Sequence, residues 1–355
     1  MLYSALKYEK EDKISRGINV GDMVQTLAAL QFLPHVDYYV ERRRQDTNNA
    51  AKLPKSFCIM NGWYGAGMLP PNDNIIPFYI SIHISKPDVL TSELADHFKL
   101  HQPIGCRDRS TLALLQSKGI EAYYSGCLTL TFQTNRQKRL GGIYLADIDE
   151  GGLELIPEDI KQRAVTVYYG TSRNLVDIFM RDQGKFIRPL MLRKFDRVIE
   201  YIRESLELPK VWFDSEYTSL YPKIWTEKDL PNLLHLFKAR SLLNLYRDAS
   251  LVITNRLHCA SPCIALGTPV VFIPRQKLWS EFGSERFEVI QPYIPLNSSG
   301  SISKIDWNPS PATNVDNHKR FLTMICQKAV EMCANPLKEI PLNHFLEESG
   351  WHPEF

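Results

Sequence analysis

Arg256 and His258 are separated by a single residue, between one apolar run and the next. The arginine carries a fixed charge in a planar guanidinium, which binds phosphate or carboxylate through paired hydrogen bonds. The histidine titrates near neutral pH and can donate or accept a proton. The pair therefore indicates an anion site with proton transfer as its chemistry. A solvated arginine beside a histidine that caps a helix is the competing interpretation.

The elements around this pair are predicted to form a compact β-α-β unit. Leu251 to Thr254 is a short β-branched run, typical of a buried parallel strand. Cys259 to Leu266 predicts a helix, because Gly267 follows at a C-terminal cap position and Pro269 blocks extension. Val270 to Ile273 predicts the second strand. In open α/β sheets, ligands bind where such a strand is followed by a helix, and free backbone N–H groups there favour anions.

A second polar cluster precedes an amphipathic run near the N-terminus. Apolar residues recur at helical spacing from Met23 to Phe32. Gly21 permits a tight turn, and Asp22 is the predicted N-cap. Asn19 and Gln25 lie in or beside the same turn. The cluster is either an ordinary helix cap or a polar binding site at a helix N-terminus.

Two further predicted strands end in polar or aromatic residues. Ser56 to Met60 runs into Asn61 and Trp63, an arrangement suited to stacking on a sugar and equally to a core tryptophan. Phe78 to Ile84 contains His83 near its end. A lone histidine at that position is either structural or functional.

Arg107 lies between a predicted strand and a predicted helix. Pro103 to Asp108 is typical of a strand that enters a turn, and Ser110 to Lys118 predicts a helix that ends at Gly119. Arg107 and Asp108 could form a surface ion pair, which would contribute little to stability. Alternatively, Arg107 points into the crevice and binds an anion as a planar fork.

Composition excludes several classes of protein. The 355 residues suggest two domains. The 42 basic and 40 acidic residues leave a net charge of +2, without the basic excess of nucleic-acid or membrane-surface binders. The sequence contains no apolar run long enough to span a membrane and no signal-peptide pattern at Met1. Seven cysteines, an odd number found mostly in apolar runs, indicate small buried side chains in a reducing compartment, and no metal site is expected.

Alternating strand and helix patterns predict an α/β fold with two Rossmann-like domains. The first covers residues 1–140, and the second covers 141–310. A polar, basic stretch at 134–140 separates them. Residues 311–355 are predicted to form a C-terminal helix and tail, with packing back on the first domain as one arrangement. Ala122 to Phe132 is predicted to hold further strands, whereas the end of the chain shows no strong periodicity.

The chain resembles the polysaccharide pyruvyl transferase family over most of its length. The similar motifs are GD-x-x-Q-x-x-A with FLP and YYVER (Gly21 to Arg42), NGW (Asn61 to Trp63), SIHIS (Ser81 to Ser85), GCRDRST and SGCLTLT (Gly105 to Thr131), VITNRLHCASPCIALGTPVVFI (Val252 to Ile273), ERF (Glu285 to Phe287) and IDWNP (Ile305 to Pro309). The RLHCA-x-P-x-x-A-x-G-x-P pattern is the most specific. The resemblance implies two Rossmann-like domains that face a cleft, as in GT-B glycosyltransferases.

The resemblance also implies an activity. Family members transfer an enolpyruvyl-derived group from phosphoenolpyruvate to a sugar of a surface or cell-wall polysaccharide, or of its lipid-linked precursor, and form a pyruvate ketal. Phosphoenolpyruvate is then a co-substrate, and no cofactor is expected. The expected partners are this donor and a sugar acceptor, without nucleic acid. The expected location is the cytoplasm, including the inner face of the membrane if the acceptor is lipid-linked.

Donor-site residues follow from the same resemblance, and acceptor residues from the polar and aromatic clusters of the first domain. His258 and Arg256 are the expected catalytic pair, for proton transfer and for phosphate binding. The expected donor-binding residues are Arg107, Arg256, Leu257, His258 and a basic residue after the last strand, either Arg275 or Lys277. The first domain would bind the acceptor through Asn19, Asp22, Gln25, Asn61, Trp63 and His83. Where the family has an Arg-Glu order, this chain has Glu41 before three arginines, which leaves the roles of Glu41 and Arg42 open.

Two alternatives remain at this point. A GT-B glycosyltransferase that uses a nucleotide sugar would also place an anion at a helix N-terminus. A non-catalytic sugar-binding relative would bind the acceptor without releasing phosphate.

Overall fold

The computed structural model describes most of the chain. The described residues are 1–8, 19–43, 53–133, 139, 141–167, 219–224, 229–275, 287–297, 305–333 and 340–353. Lys277 lies outside them, as does the predicted linker at 134–140 apart from Arg139. Among the described residues, no helix has the length and apolar character needed to cross a bilayer.

Six of the described strands form one parallel sheet. They are β1 (Leu2–Lys7), β2 (Tyr38–Glu41), β3 (Ser56–Tyr64), β4 (Ile75–Ile84), β5 (Ile104–Cys106) and β6 (Ala122–Tyr124). Their order is β2-β1-β3-β4-β5-β6, and every pair is parallel. The direction of the order reverses between β1 and β3. Ligands of open α/β sheets bind at this topological switch point, at the carboxyl ends of the strands.

Four described strands form the second parallel sheet. They are β7 (Ile143–Ala146), β8 (Ala164–Val167), β9 (Leu251–Thr254) and β10 (Val270–Phe272), in the order β10-β9-β7-β8. Read from β8 to β10, the four strands have the same arrangement as β2-β1-β3-β4 in the first sheet. The switch point of the second sheet therefore lies between β7 and β9.

The described helices surround and separate these sheets. They are α1 (Val20–Leu30), α2 (Ser92–Leu100), α3 (Arg109–Gln116), α4 (Glu150–Leu155), α5 (Glu158–Arg163), α6 (Leu230–Asp248), α7 (Leu257–Ala265), α8 (Asp316–Met332) and α9 (Leu342–Ser349). The α/β class is therefore confirmed, with two parallel, Rossmann-like sheets. The predicted domain boundaries stay predictions.

The N-terminus of α1 differs from the prediction. The helix begins at Val20, and the Oδ1 atom of Asn19 accepts a hydrogen bond from the Gly21 backbone N–H at 3.1 Å. The prediction of Asp22 as the N-cap is therefore wrong, because Asn19 already supplies the side-chain acceptor that an N-cap provides.

The predicted helix after β9 is present as α7. Its backbone is irregular at His258, where ψ is 18°, so regular helical geometry starts at Cys259. Pro262 consequently lies in the first regular turn, where the missing N–H of proline is tolerated.

Three elements depart from the sequence expectations. The strand β1 and the helix α9 were not predicted. The segment from Leu128 to Thr131 forms a 3-10 turn instead of a strand, and its Leu128 and Leu130 side chains are buried. Apolar residues that alternate along the sequence, a pattern typical of strands, are therefore buried here by a turn.

The larger of two hydrophobic core clusters among the described residues connects the two sheets. It contains Val24 and Leu27 of α1, Leu236 of α6, Ile264 of α7 and Phe321 of α8. Helix α1 contacts β1 and β3, α7 contacts β9 and β10, and α1 also contacts α7. The helices α1 and α7 thus lie between the sheets, and their positions determine how the two carboxyl edges meet.

Candidate active site

Arg256 lies at the switch point of the second sheet. Its backbone N–H donates to the Thr254 hydroxyl at 3.0 Å, and that hydroxyl donates to the Ala146 carbonyl at 2.9 Å. These bonds tie the end of β9 to the end of β7. Arg256 is also the N-cap residue of α7, so its side chain starts where free helix N–H groups favour anions.

Asp147 holds Arg256 and Arg275 together. Its carboxylate accepts a hydrogen bond from the Nε atom of Arg256 and lies 3.2 Å from the Nη2 atom of Arg275. Asp147 follows β7 with a φ of 53°, in the left-handed region that non-glycine residues rarely occupy. Two guanidinium groups therefore converge at one end of β7, and Arg275 joins Arg256 there. Whether Arg275 or Lys277 binds the donor stays a prediction, since Lys277 lies outside the described residues.

His258 packs against the first helix of the other sheet. An ideal Cβ atom at Gly21 would lie 3.2 Å from both the Cβ and the Nδ1 atoms of His258. The N-terminal turns of α1 and α7 are therefore in direct contact, with the imidazole between them. Leu257, the preceding residue, is half-buried against the core.

Arg107 and Arg42 flank the carboxylate of Asp22 on α1. The Nη1 atom of Arg107 donates to the Oε1 atom of Gln25 at 3.4 Å, and Gln25 donates to Asp22 at 3.1 Å. Arg42 approaches Asp22 at 3.8 Å. Burial raises the pKa of the Asp22 carboxyl, and the charges of both arginines oppose that shift. The Arg107 side chain is only 11 % exposed and lies 4.0 Å from Asp108, so a simple surface ion pair does not describe it.

Aromatic rings extend this cluster towards solvent. The guanidinium of Arg42 lies 4.5 Å from the centre of the Tyr8 ring and 5.8 Å from that of Trp63, within the range of a cation–π contact. Trp63 is 37 % exposed, so it is not a core tryptophan. Asn61 is buried and donates to the Gln25 carbonyl at 2.9 Å. A planar apolar surface with charged neighbours suits a sugar ring.

His83 forms a short hydrogen bond to Asp108. The Nδ1 atom of His83 lies 2.6 Å from the Oδ2 atom of Asp108. The other oxygen of Asp108 caps α3 and accepts from the Thr111 backbone N–H at 2.9 Å. Burial alone would raise the pKa of Asp108, but its bond to His83 and the charge of Arg107 outweigh burial and hold that pKa well below its usual range.

The predicted residues therefore form two groups. Arg256, His258 and Arg275 lie at the carboxyl end of the second sheet. Asp22 and Gln25 lie in the first turns of α1, and Arg107, which follows β5, donates to Gln25. The contact between Gly21 and His258 joins them. Asn19 is tied to its capping role. No group of three His, Cys, Asp or Glu side chains in the described part of the chain could hold a metal ion.

Sequence reasoning gave no site role to three residues near these groups, namely Asp147, Asn255 and Lys238. Asp147 could have been found from its position directly after a predicted strand, where switch-point residues lie. Asn255 is buried beside Arg256, and its amide has no hydrogen-bond partner among the described residues. Burial lowers the pKa of Lys238 on α6, and the charge of nearby Asp147 opposes that shift. The role of Arg42, which the sequence left open, is now tied to its ion pair with Asp22.

Comparison with known proteins identifies a family. The sequence profile of the polysaccharide pyruvyl transferases matches residues 19–277. No curated protein matches the chain. Among solved structures, an uncharacterised protein from Klebsiella pneumoniae subsp. pneumoniae NTUH-K2044 aligns over 84% of this chain and 92% of its own, with 12% identity and a TM-score of 0.37. That likeness is too low to carry an argument about fold or function.

Proposed function

We propose that this chain, which belongs to the polysaccharide pyruvyl transferase family, takes its pyruvyl group from phosphoenolpyruvate and forms a ketal on a sugar. The acceptor is a sugar of a surface or cell-wall polysaccharide, or of its lipid-linked precursor. The observation that carries the proposal is the convergence of Arg256 and Arg275 on Asp147, at a helix N-terminus beside His258. Phosphoenolpyruvate carries a phosphate and a carboxylate, and both anions need such cations.

The reaction balances with one proton donor and one proton acceptor. A sugar hydroxyl oxygen bonds to C2 of phosphoenolpyruvate, and the C2=C3 electron pair takes a proton at C3. The C2–O bond to phosphate then breaks, and a second hydroxyl closes the ketal. Of the two hydroxyl protons released, one balances the proton gained at C3 and the other leaves with phosphate. His258 supplies the C3 proton, and Arg256 binds the phosphate.

The acceptor is proposed to bind at the carboxyl edge of the first sheet. Trp63 offers an exposed ring there, and Asp22 and His83, with side chains 19 % and 25 % exposed, offer hydrogen-bonding groups. Gln25 is buried and hydrogen-bonded to Arg107 and Asp22, so it would act by positioning Asp22. This arrangement is consistent with two Rossmann-like domains, 1–140 and 141–310, that face a cleft as in GT-B enzymes. The segment 311–355 would complete the fold from the C-terminal side.

Phosphate release tests this proposal directly. The protein is incubated with phosphoenolpyruvate and a panel of galactosyl, glucosyl and N-acetylmannosaminyl acceptors, and free phosphate is measured. We expect release that depends on one acceptor class and a melting temperature that phosphoenolpyruvate raises. Stabilisation by nucleoside diphosphates instead would favour a glycosyltransferase. Acceptor binding without phosphate release would favour a non-catalytic protein.

Phosphoenolpyruvate binding, measured by the rise in melting temperature, should depend on Arg256. We expect Arg256→Gln to weaken phosphoenolpyruvate binding on the order of tenfold or more, because a charged hydrogen bond to the donor is lost. The control is Arg163→Gln, which removes an exposed arginine whose partner is Asp159, four residues earlier. Binding that is equally strong in Arg256→Gln and in the control would contradict the assigned role.

Gly21→Ala should reduce turnover without unfolding the protein. The added methyl group would lie 3.2 Å from two atoms of His258 and from the Oδ1 atom of Asn19, so these side chains, the imidazole included, must shift by a few tenths of an ångström. Small displacements of a reacting group are costly, and we expect roughly a tenfold lower kcat. Gly142→Ala is the matched control, since its Cβ atom would meet no atom within 4 Å. Equal kcat values in the two variants would place His258 away from the reacting atoms.

A further inference from the structure

His83 and Trp63 lie side by side at the carboxyl edge of the first sheet. They are register partners on β4 and β3, and partners on neighbouring strands project from the same face. The Trp63 ring is 37 % exposed, and the His83 side chain is 25 % exposed. An imidazole therefore stands next to the surface that is suited to a sugar ring.

Asp108 determines which nitrogen of His83 carries the proton. Its carboxylate is ionised, because its pKa lies well below the usual range, and an ionised carboxylate only accepts hydrogen bonds. The Nδ1 atom of His83, at 2.6 Å, is therefore the donor. In the neutral ring, the Nε2 atom is then left as a proton acceptor.

A chain of contacts connects His83 with His258. The carboxylate of Asp108 lies 4.0 Å from the Nε atom of Arg107, and Arg107 donates to Gln25 on α1. The first turn of α1 packs against His258. His83 is thus linked to α1 through Asp108 and Arg107, whereas His258 contacts the first turn of α1 directly.

We propose that His83 is the base that removes the proton from the attacking sugar hydroxyl, and that Asp108 is its positioning residue. The inference rests on the proposed function, since it names the proton acceptor for the same ketal. The Nε2 atom of His83 takes the hydroxyl proton as the sugar oxygen bonds to C2 of phosphoenolpyruvate. That proton then leaves with the released phosphate. His258 supplies the separate proton at C3 and regains one from the second hydroxyl as the ketal closes.

Three variants test this assignment. His83→Gln keeps a hydrogen-bonding side chain but cannot take the proton. His83→Ala opens a space that added imidazole can fill. Asp108→Asn keeps the oxygen that caps α3, yet its amide would donate to Nδ1 and force the proton onto Nε2. The control is His35→Gln, since His35 pairs with Asp37 at 3.1 Å, at the amino end of β2.

The expected result is a loss of kcat on the order of 10²-fold or more in His83→Gln and in Asp108→Asn, with the stabilisation by phosphoenolpyruvate retained. Imidazole should restore part of kcat in His83→Ala and leave the control unaffected. A kcat within about threefold of wild type in His83→Gln, or no rescue by imidazole, overturns the assignment of His83 alone. Wild-type protein that releases no phosphate from phosphoenolpyruvate with any acceptor overturns the proposed function and this inference with it.

Discussion

Replacing His258 by glutamine should lower kcat on the order of 10²-fold or more while phosphoenolpyruvate still binds. Glutamine keeps a hydrogen-bonding group of similar reach, but its amide N–H is far too weak an acid to deliver a proton to C3. The position of the imidazole supports this expectation, because His258 lies at the start of α7 and packs against Gly21 at the start of α1. Proton transfer by a placed side chain contributes about 10²–10⁴-fold to a rate.

The measurement separates two roles of His258. Steady-state phosphate release gives kcat, and the shift in melting temperature with phosphoenolpyruvate reports donor binding. His344→Gln is the control, since that histidine is exposed on α9 and pairs with Glu348, four residues later. A His258→Gln variant that keeps most of its kcat would show that His258 only positions the donor.

Gly126→Ala should destabilise the fold by about 2–5 kcal/mol. Gly126 has a φ of 63°, and an added Cβ atom would lie 2.3 Å from the Cε1 atom of His318. That ring cannot move aside easily. Its Nε2 atom donates to the Ser125 carbonyl at 2.7 Å, its Nδ1 atom accepts from the Tyr293 hydroxyl at 2.7 Å, and it stacks on Trp351 at 3.9 Å.

Urea unfolding of two alanine variants isolates the clash at Gly126. Gly119→Ala is the matched control, because Gly119 has a φ of 68° but nothing within 4 Å of its added Cβ atom. In Gly119→Ala, the free energy of unfolding should fall only by the cost of a Cβ atom at a positive φ, about 1–2 kcal/mol. Equal decreases in the free energy of unfolding in the two variants would show that the His318 ring moves aside at little energetic cost. The result bears on function, since Thr129 after this turn hydrogen-bonds Ser261 of α7 at 2.6 Å.

Local patterns in the sequence were sufficient for the unit that carries Arg256 and His258. A β-branched run, a proline tolerated only in a first turn, and a glycine at a helix end each act over a few residues. These signals predicted β9, α7 and β10, and they placed both side chains between the first strand and the helix. The amphipathic pattern of α1 was equally clear, although Asn19 replaced Asp22 as its cap.

Where the local sequence pattern is weak, tertiary packing determined the secondary structure. The strand β1 includes Ser4, whose buried hydroxyl lies 3.4 Å from the Phe57 carbonyl on β3, so a polar residue occupies a core position. The 3-10 turn from Leu128 to Thr131 has a strand-like sequence but packs against α7 and α8. Burial against neighbours overrides such propensities.

The composition of the candidate site was decided by tertiary structure. Asp147 and Arg256 are 109 residues apart in sequence, His83 and Asp108 are 25 residues apart, and the contact of Gly21 with His258 joins the two sheets. The sequence alone determined which residues could bind an anion or move a proton. Which of them meet depends on strand order and on the packing of α1 against α7, because hydrogen bonds and ion pairs act over a few ångströms whatever the separation along the chain.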